Sequence, residues 1–369
     1  MGYCSTKSSA FERETGLKWP SPFWNLVSCF TKHYDRNDPN YMGRLNVKQN
    51  IDNDRYDNTK YLHEYFPRSA VENCYFFRQA FSARWVRSLF ENKPSINILI
   101  YGCGTGGDLL GLLCAFLYSD LTGKTLHVYA LDGNRDALRK CEVLVAFLQE
   151  FRDLGNKIDL TIIHHNIIVG AMEGESDFGT DLFPDVKFDV ILTSKLLNEL
   201  VANNSFVYRY FLSSVVLRFL QDGGLALISD VPEKREMFDW EHESSRNVWI
   251  AKALGKAVSN FCNQNRQFHI LLPFPCDLCR NLSCDYSAVT FRLPMRNQEK
   301  RQYQTTICAR LLIKSELPGK GRAIDRLWEN HGFITTYRLD DRQVSCIRPG
   351  ALRQPKDLLN GYMMIEAWK

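Results

Sequence analysis

Ile96-Asn97-Ile98-Leu99-Ile100-Tyr101 runs without a break into Gly102-Cys103-Gly104-Thr105-Gly106-Gly107, and Asp108-Leu109-Leu110 follows. A short apolar run that ends in glycines has the form of a strand buried on both faces of a parallel sheet. The glycines let the backbone turn sharply and come close to a ligand. Leu109 to Leu117 is apolar on nearly all sides and predicts a buried helix. Strand, glycine turn and helix in that order open a doubly wound sheet. Ligands of such sheets bind beyond the carboxyl ends of the strands, where the strand order reverses.

The alternation continues outward. Leu126 to Leu131 reads as a second strand, Asp136 to Phe151 as a second helix, and Leu160 to Ile163 as a third strand. Phe188 to Thr193 is a fourth strand, with a helix from about Phe206 to Leu220 after it. The turn Asp222-Gly223-Gly224 leads into a fifth strand, Leu225 to Ser229. This pitch predicts the α/β class, a doubly wound Rossmann-like parallel sheet with helices on both faces.

The flanks read differently. Residues 1–55 have weak periodicity and suggest an arm or irregular subdomain. Between Tyr61 and Phe90, Tyr65, Phe66, Val71, Tyr75, Phe76, Ala80, Phe81, Trp85 and Leu89 recur near helical spacing. They predict two helices broken near Pro67 and Arg68. Downstream, Glu243 to Cys262 reads as a long amphipathic helix. Segments near Thr305 to Lys314, Phe333 to Leu339 and Tyr362 to Trp368 are β-like, the last expected to close the sheet as an edge strand. The chain so divides into an N-terminal arm and helical region (1–94), a core (95–231) and a C-terminal part (232–369).

At 369 residues the chain suffices for one α/β catalytic domain with large additions, or for two domains. Its 45% hydrophobic and 24% charged composition is that of an ordinary soluble globular protein. No run of about 18 apolar residues appears, so no membrane span is expected. The first residues lack the apolar core of a secretory signal, and an intracellular protein is expected. Among the twelve cysteines, Cys103, Cys114 and Cys141 lie in apolar stretches, where a thiol acts as a small hydrophobe. The net charge is only +4, but residues 285–369 hold 15 Lys and Arg against 9 Asp and Glu. A basic surface there favours an anionic partner; a solvated surface with no partner is the plain alternative. Composition does not speak to oligomeric state.

The second strand ends in Asp132, followed by Gly133 and Asn134. A carboxylate there can accept both hydroxyl protons of a ribose. The same loop also satisfies G-x-G-x-x-G at Gly102, Gly104 and Gly107, the fingerprint of nicotinamide dehydrogenases. Against that reading, Tyr-x-x-x-Lys pairs occur only upstream of the loop, at Tyr3/Lys7 and Tyr56/Lys60. That is the wrong order for a short-chain dehydrogenase.

In these segments the chain resembles the class I S-adenosylmethionine (SAM)-dependent methyltransferases. GCGTGG is similar to their first motif, LDGN to the acidic end of their second strand, FDVILTSKLLNEL to their fourth-strand motif, and DGGLALISD to the fifth-strand segment. The resemblance covers roughly residues 95–231. It implies that Gly102, Gly104 and Gly106 line the methionine and ribose part of SAM, and that Asp132 with Gly133 holds the ribose. It places Asn166 near the adenine, and Ser194, Asn198 and Glu199 at the mouth where the methyl group is delivered. One position departs from the pattern. The family usually carries an acidic residue two positions before the first glycine, and here it is Ile100. Asp108 is the expected substitute, since GGDLL also follows the glycine loop in some RNA cap methyltransferases. Without that substitution the chain would be a degenerate, non-catalytic member.

Pro275-Cys276-Asp277-Leu278-Cys279, with Cys284 five residues on, is the second constellation. A C-x-x-C pair lets two thiolates reach one metal ion from a tight turn, and a third cysteine adds a ligand. Zinc or an iron–sulfur cluster needs four. Cys308, Cys262 and His269 are the candidates for the last place, against the alternative of unconnected thiols. A C-terminal cysteine cluster after a SAM-binding core, with LLNEL at the fourth strand, resembles a ribosomal small-subunit methyltransferase family. That implies RNA or a ribosomal particle as partner and a metal cluster that supports docking.

Methyl transfer from a sulfonium needs an aligned acceptor and, for some acceptors, removal of a proton. Glu199 is the expected general base and Asn198 the expected positioning residue; the plain reading of Glu199 is a carboxylate stabilised at a helix end. No Asn-Pro-Pro-Tyr-type segment and no Pro-Cys nucleophile follow the fourth strand. Cytosine-C5 chemistry, which needs a thiolate there, is not expected. Three functions follow as expectations. They are methyl transfer to RNA or a ribonucleoprotein, methyl transfer to a small molecule or protein with Trp19, Phe23, Trp24, Tyr34 and Tyr41 as a lid, and a non-catalytic assembly factor.

Overall fold

The computed structural model describes residues 62, 65–82, 84–150, 155–170, 175–183, 185–200, 206–231, 234–239, 244–272, 288–293, 303–315, 334–339 and 342–347. The strands named here are β1 (Ser95–Tyr101), β2 (Thr125–Asp132), β3 (Lys157–His164), β4 (Phe188–Ser194), β5 (Leu220–Asp230), β6 (Lys234–Asp239), β7 (Ser244–Trp249), β8 (Phe268–Leu272), β9 (Ala288–Leu293) and β10 (Tyr303–Lys314). The main sheet runs β3-β2-β1-β4-β5-β10-β8, with β9 also paired to β10. β1 to β5 are mutually parallel, whereas β10 is antiparallel to both β5 and β8. This is the doubly wound, Rossmann-like α/β fold expected from the alternation.

The helices on its faces are α1 (Phe66–Ser82), α2 (Arg84–Glu91), α3 (Gly107–Tyr118) and α4 (Arg135–Glu150) before β4. After it come α5 (Leu197–Leu200), α6 (Val207–Phe211), α7 (Leu217–Phe219) and α8 (Ile250–Gln264), with the π-turn Leu212–Val216 joining α6 to α7. Alternate residues of one strand face opposite layers, as a period of two requires. Ile96, Ile98 and Ile100 belong to the core that contains α1, α3 and α4 residues. Leu99 and Tyr101 belong to the second core, with Val207, Phe211, Val215, Leu254 and Val258. Both faces of β1 are apolar because both are covered.

Two sequence expectations are corrected. Pro67 lies in the first turn of α1 instead of breaking it. A proline costs little there, because the N–H it lacks would have no intrahelical acceptor. The expected helix over Glu243 to Cys262 starts only at Ile250; Ser244–Trp249 is β7, which pairs antiparallel with β6. Ser-Ser-Arg-Asn-Val-Trp holds few good helix formers, and its valine and tryptophan favour a strand. The β-like segment near Phe333 is strand β11 (Ile334–Leu339), which pairs with β12 (Arg342–Ile347) in a separate two-stranded sheet. The seventh position of the main sheet is filled by β8, with β10 wedged inside it. The segment Tyr362 to Trp368 lies outside the described residues. Among the described residues no helix is long and apolar enough to cross a membrane.

Helix α1 is brought onto α3 by two glycines one turn apart. A Cβ at Gly107 would stand 2.6 Å from the Phe66 carbonyl oxygen, and one at Gly111 would stand 2.5 Å from that of Ala70. Only hydrogen at both positions lets the backbones approach this closely. The contact carries the polar residues of α1 to the first turn of α3, next to the glycine loop.

Candidate functional site

The strand order reverses at β1, which has β2 on one side and β4 on the other. The carboxyl ends of these strands therefore frame a crevice. Gly102, Gly104 and Gly106 all take positive φ, at 66°, 51° and 88°. The loop is pinned at its start, where the N–H groups of Gly102 and Cys103 donate to the Leu131 carbonyl at 2.8 and 3.1 Å. It closes with the Gly106 N–H donating to the Cys103 carbonyl at 2.9 Å. The three glycines have different surroundings. A Cβ at Gly102 would lie 2.9 Å from that of Leu196, and one at Gly106 would lie 2.7 Å from Leu144 Cδ2. One at Gly104 would meet nothing within 4 Å. Gly104 thus borders open space, while its neighbours are glycines for packing.

Asp132 ends β2 as expected. Its Oδ2 accepts the Gly104 N–H at 2.8 Å and its Oδ1 accepts the Asn134 N–H at 2.8 Å. Burial pushes its pKa up, against the pull of those N–H groups and of His164. The Gly133 N–H also bonds this carboxylate, so about one of its roughly four acceptor sites is left for a ligand's hydroxyl. Gly133 adjoins it, with its carbonyl 3.0 Å from His164 Nε2. Asn134 caps α4, its Oδ1 accepting the Ala137 N–H at 3.0 Å. Asn166, two residues beyond β3, is exposed.

On the β4 side, Ser194 is buried and its Oγ accepts from Ser229 Oγ at 3.0 Å, across the β4–β5 register. Asn198 is 3% exposed, and its Oδ1 has no hydrogen-bond partner. Glu199 follows it on the short helix α5 and is partly exposed. Lys195, at the turn between them, holds a positive φ of 61°. The structure therefore gathers the glycine loop, Asp132, Ser194, Asn198 and Glu199 at one end of the sheet.

Asp108 occupies the first turn of α3 but faces α1, where its Oδ1 accepts from Asn73 Nδ2 at 2.8 Å. Burial raises its pKa to about 7; Glu72 adds to the rise, while Lys195 and hydrogen bonds from Ser69 and Asn73 oppose it. Glu72 itself is fully buried and pairs with Lys195 at 2.5 Å. Glu72, Asn73 and Lys195 were not singled out in the sequence reading. A signal existed for Glu72, a charged residue on the otherwise apolar stripe between Tyr65 and Phe76. Ile100 is fully buried in the core, so β1 brings no carboxylate to the loop.

The expected metal centre is not supported. Cys276, Cys279 and Cys284 lie outside the described residues, and no described group of His, Cys, Asp or Glu could hold a metal ion. Cys308, the expected fourth ligand, lies among the described residues. It is buried in β10, and its Sγ donates to the Asp230 carbonyl at 3.1 Å. Burial pushes its pKa up to about 12.

No family model and no curated protein matches the chain. Among solved structures it is similar to a SAM-dependent methyltransferase from Methanosarcina mazei, at 13% identity over 61% of this chain and 95% of that one, with a TM-score of 0.35. It is also similar to a precorrin-6y C5,15-methyltransferase from Geobacter metallireducens, at 13% identity over 63% and 87% of the chains, TM-score 0.31. A third likeness is to the plantazolicin methyltransferase BamL in complex with S-adenosylhomocysteine (SAH), at 11% identity over 80% and 100%, TM-score 0.38.

Proposed function

We propose that the chain is a SAM-dependent methyltransferase whose acceptor is RNA or a ribonucleoprotein. The observation that carries the cofactor class is the Asp132 clamp on Gly104, at the point where strand order reverses and the loop borders open space. Those residues fit a nucleoside: Asp132 offers its remaining acceptor site to a ribose hydroxyl, and Gly104 leaves room for a ligand to pass. A nicotinamide dinucleotide fits less well. Its usual sheet continues in parallel order 3-2-1-4-5-6, whereas here the strand beside β5 is antiparallel.

SAM supplies a methyl group already activated on sulfur, so the chain's task is alignment and proton handling. To Asn198 Oδ1, buried and unpartnered, we assign the role of accepting a hydrogen bond from an N–H or O–H of the acceptor. Glu199, one residue on and partly exposed, is the base for an acceptor that must lose a proton. The RNA assignment rests on the excess of Lys and Arg in residues 285–369. A ribosomal small-subunit acceptor is the narrower form of this reading. The buried Ile100 supports one rival, a non-catalytic factor that keeps the fold.

Calorimetric titration of the purified protein with SAM and, separately, with NADH tests the cofactor. Micromolar SAM binding with no NADH response is expected. No SAM binding moves the weight to the non-catalytic factor, and NADH binding alone overturns the reading. RNA binding that falls steeply with salt is expected of the proposed acceptor, because phosphate contacts release counterions.

A further inference from the structure

Arg135 opens helix α4, at the end where the helix dipole favours an acid. Arg139 stands one turn further on, and both arginines are exposed. Like charges at this spacing repel across a helix surface. Of the acids on this stretch, Asp136 pairs with Lys140, and Glu142 is exposed three residues past Arg139. Local helix physics favours neither arginine.

His164, opposite Asp132 in the β2–β3 register, holds the first of them. Its Nε2 lies 3.0 Å from the Gly133 carbonyl, and its Nδ1 accepts the Arg135 Nε–H at 3.3 Å. A carbonyl can only accept and a guanidinium can only donate. One neutral tautomer satisfies both neighbours: Nε2 carries the proton and Nδ1 offers its lone pair. With its Nε–H engaged there, Arg135 brings the four N–H groups of its terminal nitrogens to an exposed position. Such a planar fork matches two oxygens of a phosphate group. Gly133 directly follows Asp132, so the fork stands beside the ribose end of the crevice.

We infer that Arg135, aimed by His164 and followed by Arg139, holds the phosphodiester backbone of a polynucleotide acceptor beside the crevice. This rests on the RNA reading above. Two arginines a turn apart on an exposed helix form a track, which suits successive phosphates of a chain better than one small anion. A strand laid from α4 across the carboxyl ends of β2 and β1 reaches β4, beyond which Asn198 and Glu199 stand. Arg135 positions that strand without reading its sequence. The nearest acids are engaged: Asp132 accepts the N–H groups of Gly104 and Asn134, and Asp177 lies 3.4 Å from His165.

Fluorescence anisotropy of a labelled single-stranded RNA over a series of salt concentrations tests this. Calorimetric SAH titration and the melting temperature serve as controls. R135A is expected to weaken RNA about tenfold, whatever its sequence, since a charge-assisted hydrogen bond is lost. The slope of log affinity against log salt should fall by about 0.7 for each phosphate contact removed, and further in R135A/R139A. R135K is expected to keep the slope but lose affinity, because it has the charge without the fork. H164A is expected to weaken RNA, yet to cost nothing more when added to R135A, because His164 acts through that arginine. SAH affinity should stay within twofold of wild type throughout. Unchanged RNA affinity and slope in R135A/R139A overturn the inference and leave the RNA reading standing. Equal losses of RNA and SAH affinity also overturn it, placing Arg135 in the cofactor site. So does an adenosine 2′-monophosphate affinity above that of adenosine that R135A abolishes, since the anion is then a small nucleotide's. If wild type binds no RNA, the RNA reading falls and this inference with it.

Discussion

Gly104 donates its backbone N–H to Oδ2 of Asp132 at 2.8 Å, tying the glycine loop to the end of the neighbouring strand. Asn134 supplies the matching bond to Oδ1. The Asp132 carboxylate is thus a structural clamp as well as a candidate ribose acceptor, and its removal has two consequences. Asp132→Ala is expected to abolish SAH binding and to destabilise the fold by about 1–3 kcal/mol, because buried N–H groups lose their acceptor. Calorimetric titration and thermal unfolding read the two effects separately. Unchanged SAH affinity would remove Asp132 from the site.

The loop glycines separate binding from folding. Gly104→Ala adds a methyl group into open space at a φ of 51°, so its stability cost is the left-handed backbone, about 1–2 kcal/mol. Its main effect is expected on ligand affinity. Gly107→Ala meets the Phe66 carbonyl at 2.6 Å and is expected to cost about 1–3 kcal/mol by forcing α1 away. A Gly104→Ala protein that binds SAH like wild type would show that the open space is not the cofactor's.

Asp108 makes stability depend on pH with an unusual sign. Its pKa is raised from 3.8 to about 7, chiefly by burial. The folded state therefore holds a proton that the unfolded chain has lost, and this contribution to stability fades as pH rises from about 4 to 7. Asp108→Asn cannot ionise. The melting temperature of D108N relative to wild type is expected to climb between pH 5 and pH 8, in the absence of ligand. A difference that stays flat across that range would show that Asp108 is ionised throughout.

Cys308→Ser is expected to leave metal content unchanged, measured by elemental analysis of protein purified without chelator. The thiol lies in the core and donates to the Asp230 carbonyl. Loss of stability without loss of metal is the expected pattern; loss of bound metal would restore Cys308 as a ligand.

The strand-turn-helix text from Ile96 to Leu117 was enough for the sheet and for the place of its ligand. Each of those residues is dictated by its neighbours along the chain: buried strands need continuous apolar runs, and tight turns need glycine. Asp132 was legible for the same reason, as an acid at a strand end. Strand β7 was hidden within an amphipathic helix pattern. The wedge of β10 between β5 and β8 was not written in either strand, because pairing between segments some eighty residues apart is decided by which edge is free. The sequence did not choose among Cys308, Cys262 and His269 as a fourth ligand, and only the fold shows Cys308 buried in β10. The charged cluster went furthest beyond the sequence. Glu72, Asp108 and Lys195 come from three elements, and their charges count against one another only once Gly107 and Gly111 let α1 close on α3. Local periodicity determined the fold and the loop; the meeting of Glu72, Asp108 and Lys195 beside them is a property of tertiary packing alone.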